Sequence, residues 1–68
     1  MMVIESSPEI LDGTPVFRGT RVPVQTLLDY VEGGDTLNDF LTDFPTVSRQ
    51  QVIAFLEAAR DGLVAAIR

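Results

Sequence analysis

The chain of 68 residues contains no cysteine, no histidine, no lysine and no tryptophan. Each absence closes a class of chemistry. Without cysteine no disulfide can brace the fold, and without cysteine and histidine together the usual zinc-ligand sets are gone. Proton transfer is left to carboxylates and the single tyrosine, Tyr30. Serine and threonine have no histidine or lysine to activate them as nucleophiles. The carboxylates fall on polar helix faces and helix starts, where solvation and capping account for them. The Gly13…Gly19 spacing matches no phosphate-binding loop, and no EF-hand spacing is present. No catalytic residue, metal or cofactor is expected, and the protein is not read as an enzyme.

Long apolar runs are missing too. No segment approaches the ~20 residues of a membrane span. The opening MMVIESSPE has neither the basic stretch nor the apolar core of a secretory leader. A cytoplasmic chain with no membrane contact is expected. Positive charge is scarce: Arg18, Arg21, Arg49, Arg60 and Arg68 face ten acids, for a net charge of −5. Non-specific affinity for nucleic acid rests on basic surface, so any DNA contact must come from a local grouping of arginines on an acidic body.

What the chain does have is apolar content, 46% of its residues. A chain of this size buries only about 60% of the surface its unfolded form exposes. It therefore needs support from a second copy or a partner, and apolar surface set aside for that purpose is expected. The length fits one domain, 1–68.

The clearest pattern lies between Thr36 and Ala59. Leu37, Phe40, Leu41 and Phe44 fall at i, i+3, i+4 and i+7, the stripe of an amphipathic helix over 36–44. Pro45 stops it. Ser48 and Gln51 form a capping-box pattern that starts the next helix, 48–61, in which Val52, Leu56, Ala59 and Leu63 share a face. Ile53 and Phe55 flank that stripe on opposite sides, an arc too wide for one small core. Gly62 either ends this helix or is tolerated within it, and 62–68 reads as an apolar tail. Ahead of the pair, Val24, Leu27, Leu28 and Val31 mark a first helix over 24–34, closed by Gly33-Gly34. Asp35 or Thr36 caps the helix that follows. Asp39 and Asp43 read as a solvated face.

Residues 1–23 read as a β element. Met2 to Glu5 suits a short strand, Ser6 to Asp12 a loose connection with Ile10 and Leu11 tucked inward. Val16-Phe17 and Arg21-Val22 suit a hairpin around Arg18-Gly19-Thr20, with Pro15 and Pro23 confining both arms to an edge. The expected fold is mainly α: a three-helix, helix-turn-helix or winged-helix-like domain with a short N-terminal strand and hairpin.

Two sets of candidate functional residues follow. For DNA they are Ser48, Arg49, Gln50 and Gln51 at the start of the last helix, because the first residues of a recognition helix reach base edges and Arg and Gln read guanine and adenine bidentately. Arg18 and Arg21 on the hairpin join them if the hairpin acts as a wing. The plainer reading is that Ser48 and Gln51 cap, that Arg49 is a surface charge and that the hairpin closes the helix packing. For a protein partner they are Ile53, Phe55, Leu63, Val64, Ile67 and Arg68, the apolar excess of the last helix and tail.

The run GTPVFRGTRVPV, with Gly13, Pro15, Gly19, Thr20, Arg21, Pro23 and Val24, followed by Gly33-Gly34-Asp35 and Phe44-Pro45, resembles the family known as domain of unknown function 433. The resemblance runs from about Ile4 to Ala59, departs from the family at Ser7 before Pro8, where an aspartate is expected, and does not account for the tail. Members of this family look like small antitoxins of the VapB type. The resemblance implies a homodimer and a partner toxin, most often a PIN-like ribonuclease encoded nearby, with repression of the protein's own operon through operator DNA. It also suggests a device: Arg18, Arg21 or Arg68 entering the toxin's carboxylate cluster, since guanidinium pairs bidentately with carboxylate. The alternative is an interaction or dimerisation module of helix-turn-helix shape that binds no DNA.

Overall fold

In the computed structural model, which describes residues 3–67 and the side chains of residues 3–66, two short strands pair antiparallel. These are β1 (Ile4–Glu5) and β2 (Val16–Phe17), with Ile4 opposite Phe17 and Glu5 opposite Val16. Met2, expected to open the first strand, lies outside the described residues. The second arm of the expected hairpin does not become a strand. It returns through a single bridge between Val16 and Pro23, with the Phe17 N–H donating to the Val22 carbonyl at 3.0 Å. The reason is local. Pro23 has no N–H to give a ladder, and the Val22 N–H is taken by the Thr20 hydroxyl at 3.0 Å. β2 consequently runs between β1 and this return arm instead of at an edge. Because the strand is only two residues long, Pro15 sits outside it.

The turn between them is Phe17 to Thr20. The Thr20 N–H and hydroxyl both donate to the Phe17 carbonyl, at 3.0 and 2.7 Å. Gly19 adopts φ +77°, a conformation that glycine reaches without steric cost. Glu5 reaches over from β1 and accepts the Gly19 N–H at 2.9 Å. Between the strands, Leu11 and Asp12 make a left-handed turn (φ 48° and 56°) that continues into Gly13. Leu11, expected to tuck into the core, is exposed for that reason: the turn directs it outward, and only Ile10 is half-buried.

Three helices follow: α1 (Val24–Glu32), α2 (Leu37–Asp43) and α3 (Arg49–Ile67). α1 ends in a Schellman motif, in which Asp35 N–H donates to the Tyr30 carbonyl and Gly34 N–H to the Val31 carbonyl, at 2.9 and 3.1 Å, with Gly34 at φ +86°. Thr36, not Asp35, caps α2. Its hydroxyl accepts the Asp39 N–H at 3.1 Å, and the Asp39 carboxylate accepts the Thr36 N–H at 3.0 Å. Asp39 is therefore a capping residue, and these bonds hold its carboxyl below the ordinary range. α3 is longer than the pattern suggested. Gly62 lies inside it, and 62–67, read as a tail, continues the helix.

Val16, Phe17, Val22, Leu27, Phe40, Val47 and Val52 are buried. Ile4, Val24, Tyr30, Leu37, Leu41, Phe44 and Phe55 pack around that core. Phe40 sits among three rings, with centroids 6.1 Å from Phe17, 5.5 Å from Tyr30 and 5.2 Å from Phe44. Burying each large apolar side chain contributes roughly 1.5–3 kcal/mol, so β2, α1, α2 and the start of α3 form one unit around these rings. The result is a mainly helical small domain with three helices and a two-stranded antiparallel sheet.

Candidate functional site

Two surfaces gather the candidate residues. The first is the start of α3. Gln51 is committed three ways: its N–H donates to the Ser48 hydroxyl at 3.1 Å, its side-chain oxygen accepts the Ser48 N–H at 3.0 Å, and its amide nitrogen donates to the Arg18 carbonyl at 2.9 Å. Ser48 and Gln51 thus form the reciprocal capping box the sequence suggested. The third bond, across 33 residues, joins the arginine turn to this helix start. Arg49 donates to the side-chain carbonyl of Asn38 on α2. Gln50 is exposed, as are the side chains of Arg18 and Arg21. Arg21 borders an open hollow of about 620 Å³ shared with Glu5, Ile10, Thr20 and Thr46. Arg18, Ser48 and Gln51 are brought together. The polar groups of Ser48 and Gln51 that would face a base are spent on the fold.

Acids gather at the contact between α1 and α2. The Tyr30 hydroxyl donates to Asp43 at 2.6 Å, tying α1 to α2. That bond comes first in pushing the phenol up to about 12 from its ordinary 10.0, followed by burial and then the charges of Asp43, Asp35 and Asp39. Asp43 is thus more than a solvated acid. Since the raised group is held protonated in the fold, its contribution is complete below pH 10 and lost as pH rises toward 12. With one tyrosine and no tryptophan, phenolate absorbance reports this group alone. The native chain is expected to titrate near 12 and Asp43→Ala near the ordinary value; identical curves would mean that the bond has no hold on Tyr30.

The second surface is apolar. A groove of about 380 Å³ opens between the β element, α1 and α3, with Ile4, Pro15, Val24, Leu28 and Phe55 among its walls. Thr14 and Gln25 complete its rim, the Gln25 amide being held by Asp29 at 2.9 Å. Phe55, one of the expected partner residues, is half-buried here and edge-on to Phe17 at 6.0 Å. Ile53, Leu63 and Val64 are exposed elsewhere on α3, together with Leu56. The Ile67 side chain and Arg68 lie outside the described residues. Ile4, Pro15 and Val24 were not named as candidate site residues from sequence, because a groove between distant segments leaves no periodic trace. Leu28 and Val31 carried a signal: α1's stripe contains four large apolar residues, of which only Leu27 is fully buried while Leu28 and Val31 remain exposed.

A family model described as "Protein of unknown function (DUF433)" matches residues 4–58. The chain belongs to this family. A curated relative, "Uncharacterized protein y4eO" of Sinorhizobium fredii (strain NBRC 101917 / NGR234), is 40% identical over 50 residues, which cover 74% of this chain and 23% of the relative. The DUF433 chain therefore spans less than a quarter of the relative's length. No solved structure matches. The family match closes at residue 58, so the turns of α3 that carry Leu63 and Val64 lie beyond it. Among the described residues, no group of acids, histidines or cysteines is arranged to hold a metal ion, and no helix is long and apolar enough to cross a membrane.

Proposed function

We propose that this DUF433 chain is a non-catalytic, protein-binding antitoxin that neutralises a PIN-like ribonuclease through its apolar surface. The observation that carries the reading is the contrast between its two surfaces. At the start of α3 the side chains of Ser48, Arg49 and Gln51 are occupied within the fold. The groove walled by Ile4, Pro15, Val24, Leu28 and Phe55 stands open. Apolar area left uncovered on so small a domain fits a partner better than solvent. Arg21 on the exposed turn is a donor for a carboxylate-lined active site, where guanidinium pairs bidentately.

One observation favours a second reading, operator binding by a winged-helix-like unit. The Gln51–Arg18 bond sets the arginine turn beside the first turn of α3, as a wing beside a recognition helix. Against it stand the net charge of −5 and the occupied helix start.

Co-expression with candidate PIN-like ribonucleases, together with salt-dependent binding of the purified chain to the DNA upstream of its gene, separates the two. Leu28→Glu is expected to abolish growth rescue and weaken the complex by about thirtyfold or more, the size of an interface hot spot. Arg49→Ala and Gln50→Ala are expected to leave rescue unchanged. Specific DNA binding that falls steeply with salt and is lost in Arg49→Ala, alongside rescue indifferent to Leu28→Glu, would replace the first reading with the second.

A further inference from the structure

β1 is paired on one side only. β2 takes that side, and the return arm through Val22 takes the far side of β2, so the order across the sheet is β1, β2, arm. The hydrogen bonds fix which way the β1 backbone faces. The Arg18 N–H donates to the Val3 carbonyl at 2.8 Å, as in a hydrogen-bonded pair. Such pairs alternate with non-bonded ones along an antiparallel ladder. Ile4 and Phe17, the next pair, are therefore non-bonded, and the Phe17 N–H turns to the Val22 carbonyl instead. The Ile4 N–H and carbonyl point the other way, out from the sheet. Among the described residues neither has a hydrogen-bond partner. An open donor and acceptor on a sheet edge are a template for one more strand.

We propose that this edge takes an extended segment of the protein partner, which adds a strand beside β1 and sets one large apolar side chain at the groove. The proposal rests on the reading of the groove as a partner site and adds the form of the contact. Register supplies the link. The partner residue that exchanges both backbone bonds with Ile4 lies directly opposite it, with its side chain on Ile4's face of the sheet. Ile4 is a wall of the groove of about 380 Å³, with Leu28 and Phe55 across from it. One residue of an added strand thus meets a backbone donor, a backbone acceptor and an apolar recess together. A helix in the recess would leave the edge unpaired, since its own N–H and carbonyl groups bond internally.

Charge narrows the occupant further. Side chains alternate across a strand, so the two residues flanking the apolar one face the other side, where Glu5 stands. The Glu5 carboxylate accepts the Gly19 N–H at 2.9 Å, and among the described residues no cation pairs with it. Arg21 shares a hollow with Glu5 but belongs to the return arm, on the far side of β2 from an added strand. Opposite charges on adjacent strands attract and like charges oppose each other. The segment that fits is therefore extended and basic, with a large apolar residue between two cations, on a chain whose net charge is −5.

Titration of the isotope-labelled full chain with short synthetic peptides, followed by NMR, tests this. The probe is a lysine-leucine-lysine centre between arms of alternating threonine and valine. It is expected to bind with a constant on the order of 100 μM, shifting the Ile4 amide and slowing its hydrogen exchange. N-methylating the central leucine removes its N–H but keeps its side chain, and is expected to weaken binding about tenfold. Replacing both lysines with glutamate is expected to weaken it by a similar factor. Leu28→Glu on the chain is expected to abolish binding; Leu28 is already exposed, so the core stays intact. A probe that leaves Ile4 unshifted, N-methylation without effect, or a glutamate form that binds as well would each overturn the proposal. A helical leucine-lysine peptide that binds in place of the extended one would overturn it too, while leaving the groove's role as a partner site standing. If neither peptide binds and growth rescue is indifferent to Leu28→Glu, that role falls as well.

Discussion

Phe40→Ala is expected to leave the chain without a cooperative thermal transition. Phe40 has no exposed surface, and its ring meets Phe17 from the β element, Tyr30 from α1 and Phe44 at the end of α2. Truncating a buried phenylalanine to alanine costs about 3–5 kcal/mol, through lost transfer energy and the cavity left behind. A single core in a chain of this size rarely supplies more than about 3–5 kcal/mol in total. The loss therefore matches the whole margin. Phe40→Leu, which keeps most of the volume, is expected to melt roughly 5–10 °C below the native chain, at about 4–8 °C per kcal/mol. Circular dichroism melts of the three proteins decide it. A Phe40→Ala chain that melts within a few degrees of the native one would mean that the rings do not join the β element to the helices.

Thr20→Val is expected to cost about 2–3 kcal/mol despite being nearly isosteric. Thr20 is the buried polar side chain of the described core, and its hydroxyl works in both directions. It donates to the Phe17 carbonyl at 2.7 Å and accepts the Val22 N–H at 3.0 Å. Valine fills the space but leaves the Val22 N–H buried with no acceptor, a desolvation penalty of about 1–3 kcal/mol, and removes one donor from Phe17. Thr20→Ser keeps the hydroxyl and is expected to recover most of the loss in urea denaturation. If Val and Ser cost the same, packing rather than hydrogen bonding governs the turn. Because the Arg18 carbonyl in this turn receives the Gln51 amide, loosening it is also expected to speed hydrogen exchange at the start of α3.

Most of the helical framework was legible beforehand, and for local reasons. Gly33-Gly34 ends α1 because a residue at φ +86° is needed there. Ser48 and Gln51 start α3 because their side chains reach the nearby N–H groups. Both devices work within a few residues and so leave a pattern in the chain. The candidate site was less legible. Ser48, Arg49, Gln50 and Gln51 were named as a set, with Arg18 and Arg21 joining them if the hairpin acts as a wing, and the bond from the Gln51 amide to the Arg18 carbonyl does join that turn to the helix start. That the same bonds would occupy Ser48 and Gln51 was one of two open readings, and sequence could not choose between them because capping and base reading ask for the same residue types. Among the misjudged residues, Leu11 and the Arg21-Val22 arm turn on backbone conformation. A leucine at φ 48° and a threonine hydroxyl in place of a ladder partner have no periodicity to detect.

By itself the sequence determined the three helices and their caps, and the presence of more apolar surface than one small core covers. These follow from composition and from interactions within about one helical turn. Tertiary structure decided where that surplus goes. Only the packing of Phe17, Phe40 and Val52 sets which side of each stripe turns inward, and that in turn leaves Leu28, Leu56 and Leu63 outside. Residues as distant as Ile4, Val24 and Phe55 come to wall one groove because the β element docks against α1 and α3. Contacts between segments separated by tens of residues depend on the shape of the whole core, and no local spacing encodes them.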